Sequence, residues 1–159
     1  MGQIVLARID DRLVHGQVMT SWLNFLSANT IIVVDDATAL DPLMNMVLKN
    51  VAPSNINLEI LTFEQGVVRL KENINGEKII LLVKIPQTME NLINAGVDIK
   101  SVNVGGMAVK PGRKTIYKWL AASEEEKECI NRMINQDISV SIQIIAEDKR
   151  LNAKNYFSN

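Results

Sequence analysis

The chain has 159 residues, of which 47% are hydrophobic and 22% are charged, a length and composition that fit one domain with a packed core. Lys and Arg number 17 against 18 Asp and Glu, for a formal net charge of −1, and no long basic run is present. This charge pattern makes DNA and RNA poor candidate ligands, because nucleic-acid binding needs a concentrated positive surface. We therefore predict a single domain over residues 1–159.

Strand-like and helix-like segments alternate along the first part of the chain. Ile4–Ile9 is apolar and predicts a strand, and the amphipathic stretch from about Gly16 to Leu26 predicts a helix. A second strand is predicted over Thr30–Val34, followed by a helix that Asp41 caps and that has Pro42 in its first turn. Two further strand–helix pairs are predicted over Leu58–Leu61 and Phe63–Glu72, and over Lys78–Val83 and Gln87–Ala95.

The last third of the chain is less regular. Ser101–Val104 predicts a fifth strand that runs into Gly105 and Gly106, where the chain can turn sharply or approach a ligand closely. The remaining predicted elements are an extended segment over Lys114–Leu120, a helix opened by the capping box Ser123 and Glu126, and a strand over Ser139–Ile145 at a sheet edge. The tail after Asn152 is predicted to be loose or packed in an oligomer.

Short apolar strands separated by helices of about ten residues are typical of a mainly parallel sheet covered on both faces. The predicted fold class is therefore α/β, with an open twisted sheet. In such sheets ligands bind beyond the carboxyl ends of the strands, near the point where the strand order reverses. The strand ends are accordingly where functional residues are expected.

The loop after the first strand is the segment richest in reactive side chains. Within a few positions before a helix it contains Arg8, Asp10, Asp11, Arg12 and His15. Arginines, carboxylates and a single imidazole in one loop can bind an anion or transfer a phosphoryl group. The sequence therefore predicts the functional site here.

Two kinds of donor in this segment can hold phosphate oxygens. The backbone N–H groups of Gly16, Gln17 and Val18 begin a helix, where free amides and the helix dipole attract anions, although the dipole contributes only about 0.3–1 kcal/mol. Arg8 and Arg12 would each add charge-assisted hydrogen bonds of about 1.5–3 kcal/mol. We therefore expect the arginines to dominate phosphate stabilisation.

His15 is the candidate nucleophile of this loop. Its positive surroundings disfavour the imidazolium form, which leaves a nitrogen lone pair free to attack phosphorus. We expect Asp10 to orient the ring or an arginine and Asp11 to face water.

The segment from Arg8 to Val18 resembles the active-site loop of the enzyme IIB components of one class of bacterial sugar phosphotransferase systems, the mannose/fructose/sorbose/N-acetylgalactosamine class. Three further segments resemble the same family in the expected order, so the resemblance covers nearly the whole chain. They are Ile31–Asp36 before Ala37, the pair Ala52-Pro53, and Ser101–Met107.

This resemblance implies a protein-Nπ-phosphohistidine–sugar phosphotransferase. The family's phosphorylated residue corresponds to His15, which would receive phosphate on Nδ1 from a phosphorylated enzyme IIA domain, and its supporting arginine corresponds to Arg12. Asp10 and Arg8 match as auxiliary groups. Asp36, Gly105 and Gly106 are possible further auxiliary positions.

The resemblance also implies the partners of the chain. The phosphate would pass to a hexose or amino sugar that membrane-embedded IIC and IID subunits translocate, at the cytoplasmic face of the membrane. No cofactor and no metal are expected, since His15 would carry the phosphoryl group covalently. The sugar and the oligomeric state, for which a homodimer is one possibility, stay open, as do the roles of Asp35 and of the tail.

Two alternatives come from other classes of protein. Asp35 and Asp36 at a strand end, with Lys84 after a later strand, resemble the acidic pair and lysine of receiver domains that phosphorylate an aspartate, although Leu61-Thr62-Phe63 lacks the third aspartate. The other alternative is a non-enzymatic sensor whose loop only binds an anion.

No N-terminal signal segment is recognisable and no apolar stretch approaches the roughly 20 residues that span a bilayer, so we expect a cytoplasmic protein. The sole cysteine, Cys129, excludes an internal disulfide. Trp22 is expected in a core or an interface, and Lys110, Arg113 and Lys114 in a solvated basic loop.

Overall fold

The computed structural model describes residues 3–158, in which strands and helices alternate up to the fifth strand. The strands are β1 (Gln3–Asp10), β2 (Thr30–Val34), β3 (Asn57–Leu61), β4 (Lys78–Val83), β5 (Ser101–Gly106), β6 (Lys114–Tyr117), β7 (Leu120–Ala122), β8 (Ser139–Ile142) and β9 (Leu151–Asn152). The helices are α1 (Gly16–Leu26), α2 (Asp36–Ala39), α3 (Pro42–Val51), α4 (Phe63–Arg69), α5 (Pro86–Asn94), α6 (Glu124–Asn135) and α7 (Lys154–Phe157). Residues 1, 2 and 159, which the predicted domain also includes, lie outside the described part.

The main sheet has seven strands in the order β3-β2-β4-β1-β5-β8-β9. The neighbouring pairs from β3 to β8 are parallel, and β9 is antiparallel to β8. The chain leaves β1 towards β2 on one side and leaves β5 towards β8 on the other, so the strand order reverses between β1 and β5. The carboxyl ends of these two strands therefore frame the crevice where such sheets bind ligands.

The central strands are buried on both faces, as their continuous apolar sequences predict. In β2, Ile31 and Val33 belong to the core cluster that includes residues of α1 and Leu48 of α3, whereas Ile32 and Val34 belong to the cluster that includes residues of α5 and α6. Successive side chains of a strand point to opposite faces, so an unbroken apolar run fills two cores at once. The predicted α/β class is confirmed.

Local capping fixes where the helices begin. Asp41 accepts hydrogen bonds from the N–H groups of Leu43 and Met44 at 3.0 and 3.3 Å, and Pro42 occupies the first turn of α3. The predicted capping box of Ser123 and Glu126 opens α6.

Within residues 3–158, no helix combines the length and apolar character needed to cross a lipid bilayer.

The end of the chain differs from the prediction. The tail after Asn152 was expected to be loose or packed in an oligomer, but Ala153 and Phe157 are fully buried in the chain's own core. The Asn131 side-chain amide donates to the Phe157 carbonyl at 3.0 Å. The strand that was predicted at the sheet edge is β8, and β9 pairs with its last two residues, Ser141 and Ile142.

The extended segment predicted over Lys114–Leu120 is a hairpin. It forms β6 and β7, which are joined at Lys118, a residue with a φ of 50°. A left-handed residue reverses the chain, and a non-glycine residue in this conformation has no clear sequence signal.

We expect Leu81→Ala to lower the free energy of unfolding by about 2–5 kcal/mol, because it removes a fully buried side chain from the centre of the sheet. Urea denaturation measures the change. Leu43→Ala is the matched control: Leu43 is 61% exposed, so its loss should change stability by no more than about 0.5 kcal/mol. Equal effects of the two variants would contradict the described core.

Candidate functional site

The loop between β1 and α1 is anchored by its own apolar residues. Leu13 donates a backbone hydrogen bond to the Asp10 carbonyl at 3.0 Å and has a φ of 58°, which turns the chain back towards the sheet. Leu13 and Val14 are buried beneath α1. His15 follows in extended conformation as the N-cap of α1, and its side chain makes no capping hydrogen bond. The imidazole is therefore free to face the site.

Asp10 is the centre of the loop's hydrogen-bond network. Its buried carboxylate lies 2.9 Å from His15 Nε2 and 3.0 Å from Arg8 Nη2, both measured from Oδ2. Its Oδ1 accepts from Arg12 Nε at 3.1 Å and from the Arg12 backbone N–H at 3.0 Å. Burial alone would raise the pKa of Asp10, but the hydrogen bonds from His15 and Arg12 and the charge of Arg8 outweigh it and hold the pKa far below its ordinary value. Asp10 is therefore ionised.

Arg8 does not face the solvent side of the site. Its guanidinium is fully buried, and Nη1 donates to Asn103 Oδ1 at 2.7 Å and to the Gln143 carbonyl at 3.0 Å. The guanidinium carbon lies 5.7 Å from the centre of the Trp22 ring, and Trp22 is itself buried, which confirms that it is a core residue. The prediction that Arg8 holds phosphate oxygens is wrong, because no part of the side chain is accessible. Arg8 instead provides the counter-charge of Asp10.

The accessible surface of the site consists of His15, Arg12 and the start of α1. The His15 side chain is 22% exposed and that of Arg12 48%. The first hydrogen bond of α1 runs from the Met19 N–H to the His15 carbonyl at 3.3 Å. The N–H groups of Gly16 and of the predicted neighbours Gln17 and Val18 precede that bond, so the helix itself does not use them.

Gly105 and Gly106, at the end of β5, provide space for the network. A Cβ atom on Gly105 would overlap the Arg8 guanidinium, and one on Gly106 would lie 2.5 Å from Asp10 Oδ1. Neither glycine has a positive φ. Their role is thus to let β5 approach two charged side chains closely, rather than to form a turn.

Asp11 and Arg113 differ from their predicted environments. Asp11 was expected to face water, but its Oδ2 accepts from the Ala108 N–H at 2.8 Å and from Arg113 Nη1 at 3.1 Å. Arg113 was expected in a solvated loop, but its side chain is buried and bonds Glu126 through Nε and Nη2 at 2.8 and 2.7 Å. The hydrogen bond between Arg113 and Asp11 joins the loop after β5 to the loop after β1.

The acidic residues after β2 act as helix caps. Asp35 accepts from the Thr38 N–H at 3.0 Å and from its hydroxyl at 2.6 Å, and Asp36 Oδ1 accepts from the N–H of Phe63 at the start of α4 at 2.7 Å. Strand β4 separates β2 from β1, so the structure does not bring Asp36 into the loop network. Residues 3–158 contain no cluster of three or more His, Cys, Asp or Glu side chains that could hold a metal ion.

The sequence analysis did not identify the groups that bind Arg8 Nη1, which are the Asn103 side chain and the Gln143 carbonyl. Asn103 is a buried amide between the apolar residues Val102 and Val104, and a polar side chain in an apolar strand is a signal that it has a specific partner. Gln143 contributes its backbone carbonyl, for which a sequence carries no signal. Asn103 was therefore recognisable, whereas Gln143 was not.

Comparisons with known proteins identify the family. Residues 4–159 match the family described as PTS system sorbose subfamily IIB component. The crystal structure of the IIB domain of the sorbose permease from Klebsiella pneumoniae matches with a TM-score of 0.92 at 28% identity, covering 97% of this chain and 95% of that chain. That of the N-acetylgalactosamine-specific IIB component 1 from Escherichia coli has a TM-score of 0.89 at 30% identity, covering 94% of this chain and 99% of that one.

Sequence relatives agree with this result. The fructose-specific EIIB component of Bacillus subtilis is 34% identical over 149 residues, which cover 93% of this chain and 91% of the relative. The mannose-specific EIIAB component of Escherichia coli is 35% identical over 150 residues, or 93% of this chain and 46% of the relative, so the chain spans about half the length of that protein. The resemblance inferred from the sequence is confirmed. The chain belongs to the sorbose-subfamily IIB components of the sugar phosphotransferase system.

Proposed function

We propose that His15 accepts a phosphoryl group on Nδ1 from a phosphorylated IIA domain and passes it to a sugar. The observation that carries this proposal is the 2.9 Å contact between His15 Nε2 and the buried Asp10 carboxylate. Because Asp10 is ionised, it can only accept hydrogen bonds, so Nε2 carries the proton. In the neutral ring the lone pair then lies on Nδ1, which is the nucleophile.

The transfer needs little rearrangement around the ring. The Nδ1 lone pair attacks phosphorus while the bond between phosphorus and the donor breaks, and Nε2–H continues to donate to Asp10. When a sugar hydroxyl later attacks the phosphorus, the N–P bond breaks, its electron pair returns to Nδ1, and the hydroxyl proton is released to solvent. A carboxylate already in place for both steps lowers the barrier without being reorganised.

Arg12 is the group that stabilises the charge on the transferring phosphoryl. Nε and Nη2 are bonded to Asp10, but the side chain is 48% exposed and keeps further N–H donors for an anion. The amides of Gly16, Gln17 and Val18 add the positive end of α1. These donors lie on the accessible surface with His15, which supports a phosphate-binding role for them.

The family supplies the proposed partners. Relatives carry names specific for mannose, fructose, sorbose and N-acetylgalactosamine, so we extend to this chain a hexose or amino-sugar acceptor presented by IIC and IID subunits at the cytoplasmic face of the membrane. The phosphoryl group is carried covalently, and the proposed chemistry uses no cofactor. Aspartyl phosphorylation is less favoured, because Asp35 and Asp36 are occupied as helix caps.

We expect the purified relay proteins, supplied with labelled phosphoenolpyruvate, to place acid-labile, base-stable phosphate on His15. Phosphopeptide mapping locates the label. His15→Ala should abolish it, and Asp36→Asn should retain it because Asp36 lies outside the loop network. A base-labile label that survives in His15→Ala would show an aspartyl phosphate, and reversible anion binding without a label would show a sensor.

Arg12→Ala should slow single-turnover transfer by about 10- to 150-fold, the loss expected for one charge-assisted hydrogen bond to the transition state. The free energy of unfolding should change less than the activation free energy, since the side chain is half exposed. Lys100→Ala is the control, because Lys100 is an exposed cation next to the opposite end of β5. Normal transfer by Arg12→Ala would contradict the proposed role.

Asp10→Asn should lower the free energy of unfolding by about 3–5 kcal/mol near neutral pH, because it leaves Arg8 buried without its counter-charge. The depressed pKa of Asp10 adds a pH dependence: its stabilisation is complete above the unfolded pKa of about 4 and is lost as the pH falls further. Urea denaturation between about pH 7 and about pH 3 should therefore show a steeper loss for the natural protein than for Asp10→Asn. Asp98→Asn, at an exposed carboxylate, should keep the steep loss. Parallel curves for the natural protein and Asp10→Asn would contradict this account.

A further inference from the structure

A continuous chain of buried side chains links β5 to the imidazole of His15. Asn103 Oδ1 accepts from Arg8 Nη1 at 2.7 Å, Arg8 Nη2 donates to Asp10 Oδ2 at 3.0 Å, and the same oxygen lies 2.9 Å from His15 Nε2. Arg8 and Asn103 are register partners in the β1–β5 pair, so their side chains lie on the same face of the sheet. We propose that Asn103 is a positioning residue that, through Arg8 and Asp10, holds His15 in the orientation and tautomer that transfer requires.

The hydrogen bonds of Arg8 show why one amide matters. Its Nε is buried and has no hydrogen-bond partner, so the guanidinium is held only through Nη1 and Nη2. Nη2 bonds Asp10, and Nη1 bonds Asn103 Oδ1 and the Gln143 carbonyl. Loss of the Asn103 oxygen leaves Nη1 with the longer of its two bonds, at 3.0 Å. The guanidinium can then rotate away from Asp10.

Asn103 is itself fixed and cannot reach a partner protein. It is 4% exposed, and its Nδ2 donates to the Gln143 carbonyl at 3.0 Å. Both ends of the amide are therefore bonded, so its oxygen is held towards Arg8. Any effect of Asn103 on transfer must be transmitted through the buried chain.

The rest of β5 is shaped for the same purpose. Gly105 leaves the space that the Arg8 guanidinium occupies, and Gly106 leaves the space beside Asp10. Trp22 of α1 lies beside Arg8, with its ring centre 5.7 Å from the guanidinium carbon. The segment from Asn103 to Gly106 thus leaves room for the Arg8–Asp10 pair. Within this segment of the described chain, Asn103 supplies the only side-chain hydrogen bond to Arg8.

The test measures the tautomer of His15 in the unphosphorylated protein by ¹⁵N NMR. Asn103→Leu has a similar volume but no acceptor oxygen, and we expect a mixture of tautomers where the natural protein has Nε2–H alone. Ser141→Ala is the matched control, because Ser141 is buried beside Asn103 in the register of β5 and β8 and should have no effect.

A second measurement separates positioning from folding. With the phosphorylated IIA domain as donor, Asn103→Leu should lower kcat about tenfold, the equivalent of one hydrogen bond, and leave KM unchanged because Asn103 cannot touch the donor. Should Asn103→Leu fail to fold, Asn103→Ser replaces it, since its hydroxyl ends one bond short of the Oδ1 position and should also mix the tautomers.

Two outcomes would overturn the role of Asn103: a pure Nε2–H tautomer in the folded Leu or Ser variant, or an effect of Ser141→Ala as large as that of Asn103→Leu. The inference rests on the proposed function of His15. If the natural protein takes no phosphate on His15, that function fails, whereas the tautomer measurement still decides whether Asn103 orients the ring.

Discussion

A carboxylate withdrawn from water must be compensated by cations and hydrogen-bond donors, because its desolvation costs several kcal/mol. Asp10 is such a group: it is fully buried, and it bonds a buried arginine, a half-exposed arginine and the imidazole. The compensation keeps Asp10 ionised at neutral pH, and an ionised acceptor decides which nitrogen of His15 carries the proton. The chemistry proposed for the site therefore depends on how well this one charge is neutralised.

The sheet topology explains why the charge can be buried at this position. The carboxyl ends of β1 and β5 meet where the strand order reverses, and β5 contributes two glycines that leave room for Arg8 and Asp10. The Asp11–Arg113 pair then joins the two loops that follow these strands. Fold and site are thus one construction, since the strand pairing that forms the sheet also aligns Arg8 with Asn103.

The local features of this molecule could be predicted from the sequence. Apolar runs predicted β2 and β4, the residues Asp41 and Ser123 predicted helix starts, and the density of charge around His15 pointed to the site. The hydrogen-bond partners of the charged residues could not be predicted, because these partners lie far away along the chain. Arg8 is 95 positions from Asn103, and Asp11 is 102 positions from Arg113. An arginine near a strand end has the same sequence appearance whether it faces water or lies beneath a carboxylate. The tail was misjudged for a similar reason, since the burial of Phe157 depends on α6 and not on its neighbours.

The turn at Leu13 has a consequence for how partners meet this protein. Leu13 and Val14 are buried immediately before His15, so the backbone that carries the reactive ring is anchored to the hydrophobic core and is not part of a free loop. An anchored loop loses little conformational entropy when a complex forms, but it cannot extend towards a partner. The phosphate donor and the phosphate acceptor must therefore bring their reactive atoms to the same fixed position of His15, one after the other.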